Sequence, residues 1–141
     1  MSELSNAERF PTVMVVGTDD EEVCLLSSVL HSKGFDVLEA QNGDDAIDLA
    51  TRWRPELILI DLKLPVINGF STLRRLRTLA KSRETPIIAF SKPDSSGTDT
   101  LAISAGCIAH LAKPIDFDLL DSLIDQYLPG FHWQLVSVLV H

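Results

Sequence analysis

Residues 57–62 (LILIDL) decide the fold, because they are apolar almost throughout and carry one carboxylate, Asp61, near their end. A strand that is apolar on both faces is typical of the middle of a parallel sheet, where helices cover both sides. In such sheets functional residues gather at the carboxyl ends of the strands. The stretch therefore predicts a central strand with a candidate functional residue at its carboxyl end.

Strand-like and helix-like segments alternate on both sides of this central strand. Short β-branched or apolar runs predict strands, and apolar residues at helical spacing predict helices. The strands are predicted at 12–16, 35–40, 57–62, 86–90 and 107–112, and the helices at 21–33, 44–53, 70–81, about 95–105 and 116–128. Fivefold alternation predicts the α/β class, with a doubly wound, five-stranded parallel sheet and right-handed crossovers.

Composition restricts the class of protein. The chain has 141 residues, enough for one domain, and its net charge of −8 argues against direct binding of nucleic acid. It contains no apolar run of about 18 residues, so we expect no membrane-spanning helix. Cys24 and Cys107 have no metal-ligand spacing, and we interpret them as reduced, partly buried thiols of a cytoplasmic protein.

Three segments are expected along the chain. Residues 1–10 are polar, do not resemble a signal peptide and are predicted to be a flexible N-terminal segment. Residues 11–128 form the predicted domain. Residues 129–141 form an apolar C-terminal tail that could fold back on the domain, pair with a sheet edge or make a contact in a homodimer.

Polar residues follow three of the predicted strands. Asp61 ends the third strand, Ser91 follows the fourth and Lys113 follows the fifth. Because parallel strands end at one edge of the sheet, a carboxylate, a hydroxyl and an ammonium converge there. The carboxylate can attack a phosphoryl donor, while the ammonium and the hydroxyl bind phosphate oxygens. Singly, each residue is more simply explained as a cap or a loop residue, and only the set is specific.

These residues resemble a known signalling family. The run DLKLP at 61–65, with Gly69, resembles the D-x-x-[LM]-P-x-x-x-G pattern of response-regulator receiver domains. The pair Lys113-Pro114 resembles the K-P signature of that family, in which the peptide bond is cis. Ser91 stands where the family has Thr or Ser. It follows Asp61 by 30 residues and Lys113 follows by 52, both usual spacings in receivers. The resemblance covers about 11–128.

The resemblance implies a flavodoxin-like (βα)5 fold and a role in phosphorelay signal transduction in a two-component system. Asp61 would be the phosphoacceptor and become an aspartyl phosphate, with Mg²⁺ as cofactor. Ser91 would be the switch hydroxyl and Lys113 the phosphate-contacting lysine. The partners implied are a histidine kinase or phosphotransfer protein upstream and a downstream protein partner. The protein would be a signalling module and not an enzyme, with no membrane attachment.

The first predicted strand departs from the receiver pattern. Receivers usually end this strand with two consecutive acids that hold Mg²⁺, whereas this chain reads VVGTDD at 15–20. In one alignment Gly17 and Thr18 occupy the acidic-pair positions, which keeps the usual distance to Asp61 and to the first helix. In the other, Asp19 and Asp20 are the pair and the helix is shortened. We prefer the first, in which Asp19 and Asp20 are also free to cap the helix.

The predicted metal ligands depend on this alignment. They are Asp61, Asp19 and the backbone carbonyl of Lys63, whose side chain we expect to be exposed. Mg²⁺ requires oxygen ligands and commonly uses one or two carboxylates, so a displaced pair predicts weaker binding. His110 stands where receivers carry Tyr or Phe. Its ring could move with the switch hydroxyl, or it could be a strand-end histidine with no such role.

Three interpretations follow. The first is a stand-alone receiver phosphorylated on Asp61. The second is an atypical receiver, or pseudo-receiver, that acts as an interaction module without phosphorylation. The third, a small enzyme or nucleotide binder, is disfavoured because neither G-x-x-x-x-G-K-[ST] nor G-x-G-x-x-G occurs in the sequence.

Overall fold

The computed structural model describes residues 11–64, 69–79, 84–93 and 98–128. The predicted N-terminal segment at 1–10, Pro65 of the receiver motif, and the apolar tail at 129–141 lie outside the described residues. The division of the chain into these segments therefore stays a prediction.

Within the described residues five strands and five helices alternate, as predicted. The elements in order are β1 (Thr12–Val16), α1 (Asp20–Ser32), β2 (Asp36–Ala40), α2 (Gly43–Trp53), β3 (Leu57–Asp61), α3 (Gly69–Thr78), β4 (Ile87–Ser91), α4 (Thr98–Ala105), β5 (Ala109–Ala112) and α5 (Phe117–Tyr127).

Three strands, β2, β4 and β5, begin later than the sequence predicted. The cause is the same in β2 and β5. The residue after a helix-ending glycine is used to close the helix and so cannot start the strand. Phe35 N–H donates to the Leu30 carbonyl at 3.1 Å, and Cys107 N–H donates to the Ala102 carbonyl at 3.2 Å. The intervening Gly34 and Gly106 have φ of 96° and 119°, the left-handed conformation that suits such a helix end.

All strands are parallel, in the order β2-β1-β3-β4-β5. β3 is therefore the central strand, and its five residues are all buried, as LILIDL predicted. The register pairs Asp61 with Phe90 and Ser91 with Ala112. The polar residues that end β3 and β4 thus lie at the same edge of the sheet.

Helices cover both faces of the sheet. On one face α1 and α5 pack against Val13, Val15, Leu57, Leu59, Ile88 and Phe90. On the other, α2, α3 and α4 pack against Met14, Val16, Ile58, Ile60, Ile87 and Ala89. The alternation along each strand sends successive side chains into opposite layers. This confirms the doubly wound arrangement. None of the helices in the described part of the chain has the length and apolar character needed to span a bilayer.

The prediction of two partly buried thiols was wrong for Cys24. Cys107 is buried, but Cys24 is exposed. The buried face of α1 consists of Val23, Leu26, Ser27 and Leu30. Cys24 follows Val23 by one residue, about 100° around the helix, and therefore faces away from the sheet.

Candidate functional site

Asp61 ends β3 in a buried position, with only 4% of its side chain exposed. Its two carboxylate oxygens have different partners. Oδ1 accepts a hydrogen bond from the backbone N–H of Lys63 at 2.9 Å, and Oδ2 accepts one from Lys113 Nζ at 2.8 Å. The carboxylate is thus fixed in orientation at the edge of the sheet, where a reacting group can approach it.

Lys113 reaches this carboxylate from the segment that follows β5. Its backbone N–H donates to the carbonyl of Ser91 at 2.8 Å, and the peptide bond to Pro114 is cis. Its ammonium also lies 5.4 Å from the ring centroid of Phe90, the strand neighbour of Asp61. The side chain is therefore held across the end of β4.

Glu22 belongs to the same cluster, although sequence reasoning missed it. Its Oε1 lies 3.1 Å from Lys113 Nζ, so the ammonium contacts two carboxylates at once. Oε1 is shielded from solvent, and among the described residues no group makes a hydrogen bond of good geometry to it. Glu22 precedes the buried Leu26 by four residues, and this spacing on the inner face of α1 was the signal available in the sequence.

The two carboxylates determine the charge state of Lys113. Burial by itself lowers the pKa of an ammonium group, but the hydrogen bond to Asp61 and the contact with Glu22 outweigh it. The net effect raises the pKa of Lys113 above its ordinary value. The ammonium of Lys113 therefore stays positively charged throughout the neutral range of pH.

The loop after β1 places a glycine beside Asp61. A Cβ atom at Gly17 would lie 3.8 Å from the Cβ of Asp61, which supports the alignment that puts Gly17 at an acidic-pair position. Asp19 is the N-cap of α1, and its Oδ1 accepts hydrogen bonds from the N–H groups of Glu21 and Glu22 at 3.0 and 3.2 Å. The predicted capping role is confirmed, whereas a metal-binding role for Asp19 stays a prediction.

Ser91 and His110 form a second polar pair at this edge. Ser91 Oγ lies 2.7 Å from His110 Nε2, and both side chains are half-buried. Since an imidazole nitrogen either donates or accepts, the hydroxyl takes the complementary role. The pair joins β4 to β5, and it occupies the Ser91 hydroxyl, which in the predicted switch would bind a phosphate oxygen instead.

The arrangement suits phosphoryl transfer. A buried carboxylate at the sheet edge, an adjacent ammonium and a nearby hydroxyl supply a nucleophile, a counter-charge and a hydrogen-bond donor. Within the described residues, no group of three or more His, Cys, Asp or Glu side chains is placed to hold a metal ion. Any metal here would therefore rely on one or two carboxylates with other oxygen ligands.

Comparison with known proteins agrees with this geometry. The model of the response regulator receiver domain family matches residues 13–125. The chain is a response regulator receiver domain.

Similar proteins are receivers and phosphorelay components. The polar-differentiation response regulator DivK of Brucella anthropi is 30% identical over 117 residues, which cover 83% of this chain and 95% of that protein. The sporulation initiation phosphotransferase F of Bacillus subtilis is 31% identical over 106 residues, covering 74% and 83%. The receiver domain of a sensor histidine kinase of Pseudomonas aeruginosa has a TM-score of 0.79 at 27% identity, covering 86% and 99%. Its structure holds a magnesium ion in the active-site cleft.

Membership confirms the predicted flavodoxin-like fold and the general function in phosphorelay signalling. Receiver domains are signalling modules, and they interact with histidine kinases or phosphotransfer proteins. The matched relatives give no support to the pseudo-receiver interpretation.

The structure brings Asp61 and Lys113 together. The backbone of Lys63 contacts Asp61 through its N–H, and the predicted role of its carbonyl as a metal ligand stays a prediction. The side chain of Lys63 is exposed, as predicted. Lys92, the residue after Ser91, is exposed as well, so its ammonium points to solvent instead of crowding the receiver's pocket.

Proposed function

We propose that Asp61 accepts a phosphoryl group from a phosphohistidine of a histidine kinase or phosphotransfer protein. The observation that supports this most directly is the carboxylate of Asp61, buried at the end of the central strand and held through both oxygens by Lys63 N–H and Lys113 Nζ. An ammonium partner stabilises a buried carboxylate whatever its role. In a phosphoacceptor that ammonium compensates the charge of the incoming group.

The transfer step involves one bond made and one broken. A carboxylate oxygen of Asp61 attacks phosphorus, the P–N bond to the donor histidine breaks, and its electron pair returns to the imidazole. The product is a mixed anhydride, the aspartyl phosphate. Lys113 neutralises negative charge on the transferred group, and the Ser91 hydroxyl donates a hydrogen bond to one of the phosphoryl oxygens. Positioning and charge stabilisation provide most of the catalysis in such transfers.

We propose Mg²⁺ as the cofactor of this site. The carboxylate of Asp61, the carbonyl of Lys63 and the Thr18 hydroxyl are oxygen donors of the kind that Mg²⁺ prefers. Glu22 Oε1, shielded from solvent and 3.1 Å from Lys113 Nζ, adds a second carboxylate oxygen beside Asp61. When bound, the ion would offset the charge of the phosphoryl oxygens. β1 contributes no carboxylate at its end, because Gly17 and Thr18 follow Val16.

We propose that the response to phosphorylation runs through the Ser91–His110 pair. The hydroxyl that now lies 2.7 Å from His110 Nε2 would turn to a phosphoryl oxygen. His110 then loses this partner, and its ring is free to change position on β5. The surface around α4 and β5 would differ between the two states. A downstream protein partner would bind this surface in only one of them.

The upstream partner would approach from the side of α1. An open cavity of about 300 Å³ next to the site is lined by Asp19, Glu21, Glu22, Leu25, Pro114 and Phe117. Leu25 is 53% exposed there. Glu22 belongs both to this cavity and to the Asp61–Lys113 cluster, so a partner docked in the cavity would lie next to the site.

A direct test of the site uses beryllofluoride, a mimic of the phosphoryl group, with Mg²⁺. Two-dimensional amide NMR should show saturable shifts at Asp61, Ser91 and Lys113, and Asp61→Asn should abolish them. Saturating reagents with no spectral change in the wild-type protein would contradict the proposal and leave the pseudo-receiver interpretation.

The docking side is tested by Leu25→Arg. This change should slow phosphoryl transfer from a phosphorylated histidine phosphotransfer protein, while phosphorylation by acetyl phosphate stays at the wild-type rate. Leu101→Arg is the matched control, because Leu101 is 54% exposed but belongs to α4 on the other face of the sheet. Equal effects of the two variants would exclude the α1 side as the docking surface.

A further inference from the structure

We infer that Glu22 supplies the metal-binding carboxylate that the first strand of this receiver lacks. The inference deepens the proposed Mg²⁺ site at Asp61 and rests on it. In this assignment the second acid comes from the first turn of α1 instead of from the end of β1. Neither the sequence motif nor the family match points to this residue.

The position of Glu22 brings its carboxylate to the site. Oε1 of Glu22 and Oδ2 of Asp61 both contact the same atom, Lys113 Nζ, at 3.1 and 2.8 Å. The two oxygens therefore lie no farther apart than the sum of these distances. The backbone of Glu22 is fixed as well, because its N–H is one of the two groups that the Asp19 cap holds.

Oε1 of Glu22 is a second carboxylate oxygen that lies against Lys113 Nζ beside Asp61. The atom is shielded from solvent, and the part of the chain that the structure describes offers it no hydrogen bond of good geometry. The ion pair with Lys113 satisfies its charge only in part, since the same ammonium is hydrogen-bonded to Asp61. A buried polar oxygen without a hydrogen bond is costly, and a hard cation is a suitable partner for it.

The local charge also favours a cation. Two carboxylates and one ammonium leave this cluster with one net negative charge. At the separations seen here, attraction between such charges is strong because the side chains are largely withdrawn from water. A divalent cation would reverse the sign of the cluster and prepare it for an anionic phosphoryl group.

Gly17 provides the space for this substitution. Because it has no side chain, nothing from the end of β1 fills the volume beside Asp61. A Cβ there would approach Val23 Cγ2 to 3.2 Å, a tight contact with the residue that follows Glu22. The absence of a side chain at Gly17 thus leaves room beside Asp61 for a carboxylate that comes from α1.

The test measures the dissociation constant of Mg²⁺ by amide NMR titration of the full chain, without phosphorylation. Glu22→Gln should weaken binding about tenfold, because a charged ligand becomes a neutral one. The matched control is Glu21→Gln, which removes the same charge from an exposed neighbouring residue and should change binding less than about twofold.

Two further variants separate a ligand from a mere counter-ion of Lys113. In the Lys113→Met background, Glu22→Gln should still weaken Mg²⁺ binding by a similar factor. Thr18→Asp adds a carboxylate at the exposed residue after Gly17. Combined with Glu22→Gln in one chain, it should restore the Mg²⁺ affinity that Glu22→Gln alone loses.

The outcomes are distinct. Equal effects of the Glu22 and Glu21 variants, or loss of the Glu22 effect in the Lys113→Met background, would overturn this inference alone. Wild-type protein that binds no Mg²⁺ would overturn both the inference and the proposed metal site.

Discussion

Lys113 Nζ lies 2.8 Å from Asp61 Oδ2, and this contact spans the sheet from the end of β3 to the residue after β5. The strand between them, β4, contributes Ser91, whose carbonyl accepts the backbone N–H of Lys113 at 2.8 Å. The ammonium is therefore placed by backbone contacts as well as by charge. Nucleophile, counter-charge and hydroxyl are fixed relative to one another before any phosphoryl group arrives.

Replacing Lys113 by Met should destabilise the domain by about 1–3 kcal/mol, the usual range for hydrogen bonds to charged groups. Its pKa is raised in the folded state. The stabilisation is therefore fully present below the unfolded pKa of about 10.4 and is lost only as pH rises through the still higher folded value. Urea unfolding of both proteins should thus show a constant difference between pH 6 and 9.

Lys92→Met is the matched control, since Lys92 is exposed, and it should behave like wild type. A difference that changes between pH 6 and 9, or an equal loss of stability in Lys92→Met, would contradict the assigned role of Lys113.

Ser91→Ala should separate phosphorylation from switching. Asp61 and Lys113 keep their contacts, so the variant should still bind beryllofluoride with Mg²⁺. The side-chain NMR signals of His110 should shift on binding in the wild type, because Ser91 Oγ leaves His110 Nε2, and should stay in place in the variant. His31, exposed near the end of α1, serves as the internal reference. An undiminished His110 shift in Ser91→Ala would exclude the proposed coupling.

Gly69→Ala should be strongly destabilising. A Cβ at Gly69 would lie 2.3 Å from the Cα of Leu62, so the backbone after β3 would have to move. We expect a loss of about 2–4 kcal/mol in the free energy of unfolding, larger than for an ordinary substitution. Gly17→Ala is the control: its Cβ meets a side-chain methyl at 3.2 Å, which can shift slightly. Urea unfolding that ranks the two variants in the opposite order would contradict this interpretation of the receiver glycine.

The two thiols should differ in reactivity. Cys24 is exposed, whereas Cys107 is buried, and burial raises the pKa of the Cys107 thiol and so lowers its thiolate fraction. A thiol reagent at neutral pH should modify one cysteine of the native protein rapidly and the other only after unfolding. Peptide mapping should identify Cys24 as the fast residue, and rapid modification of Cys107 would show that the α4–β5 junction opens readily.

Much of the fold could be predicted from the sequence because local pattern and tertiary burial agree. The stretch LILIDL is apolar on both faces, and it contains the buried central strand. Asp19 precedes a predicted helix and is its N-cap, a position that favours aspartate. The beginnings of β2 and β5 could not be placed, because Phe35 and Cys107 look like strand residues but bond to the preceding helix turn.

Site residues at the ends of strands could be predicted from the sequence, whereas the site residue on a helix was missed. Asp61, Ser91 and Lys113 follow apolar strands, so topology alone brings them to one edge. Glu22 lies within a run of acids, 19–22, that is explained by capping. Only its spacing to buried Leu26 distinguishes it, and its contact with Lys113 depends on how α1 packs against the sheet.

The most direct test of the central claim is the intact mass of the protein after incubation with acetyl phosphate and Mg²⁺. The wild-type chain should gain the mass of one phosphoryl group, in a form that hydroxylamine removes as expected for an acyl phosphate. Asp61→Asn should gain none under the same conditions. An unmodified wild-type protein, or a phosphoryl group that persists in Asp61→Asn, would contradict the assignment of Asp61 as the phosphoacceptor.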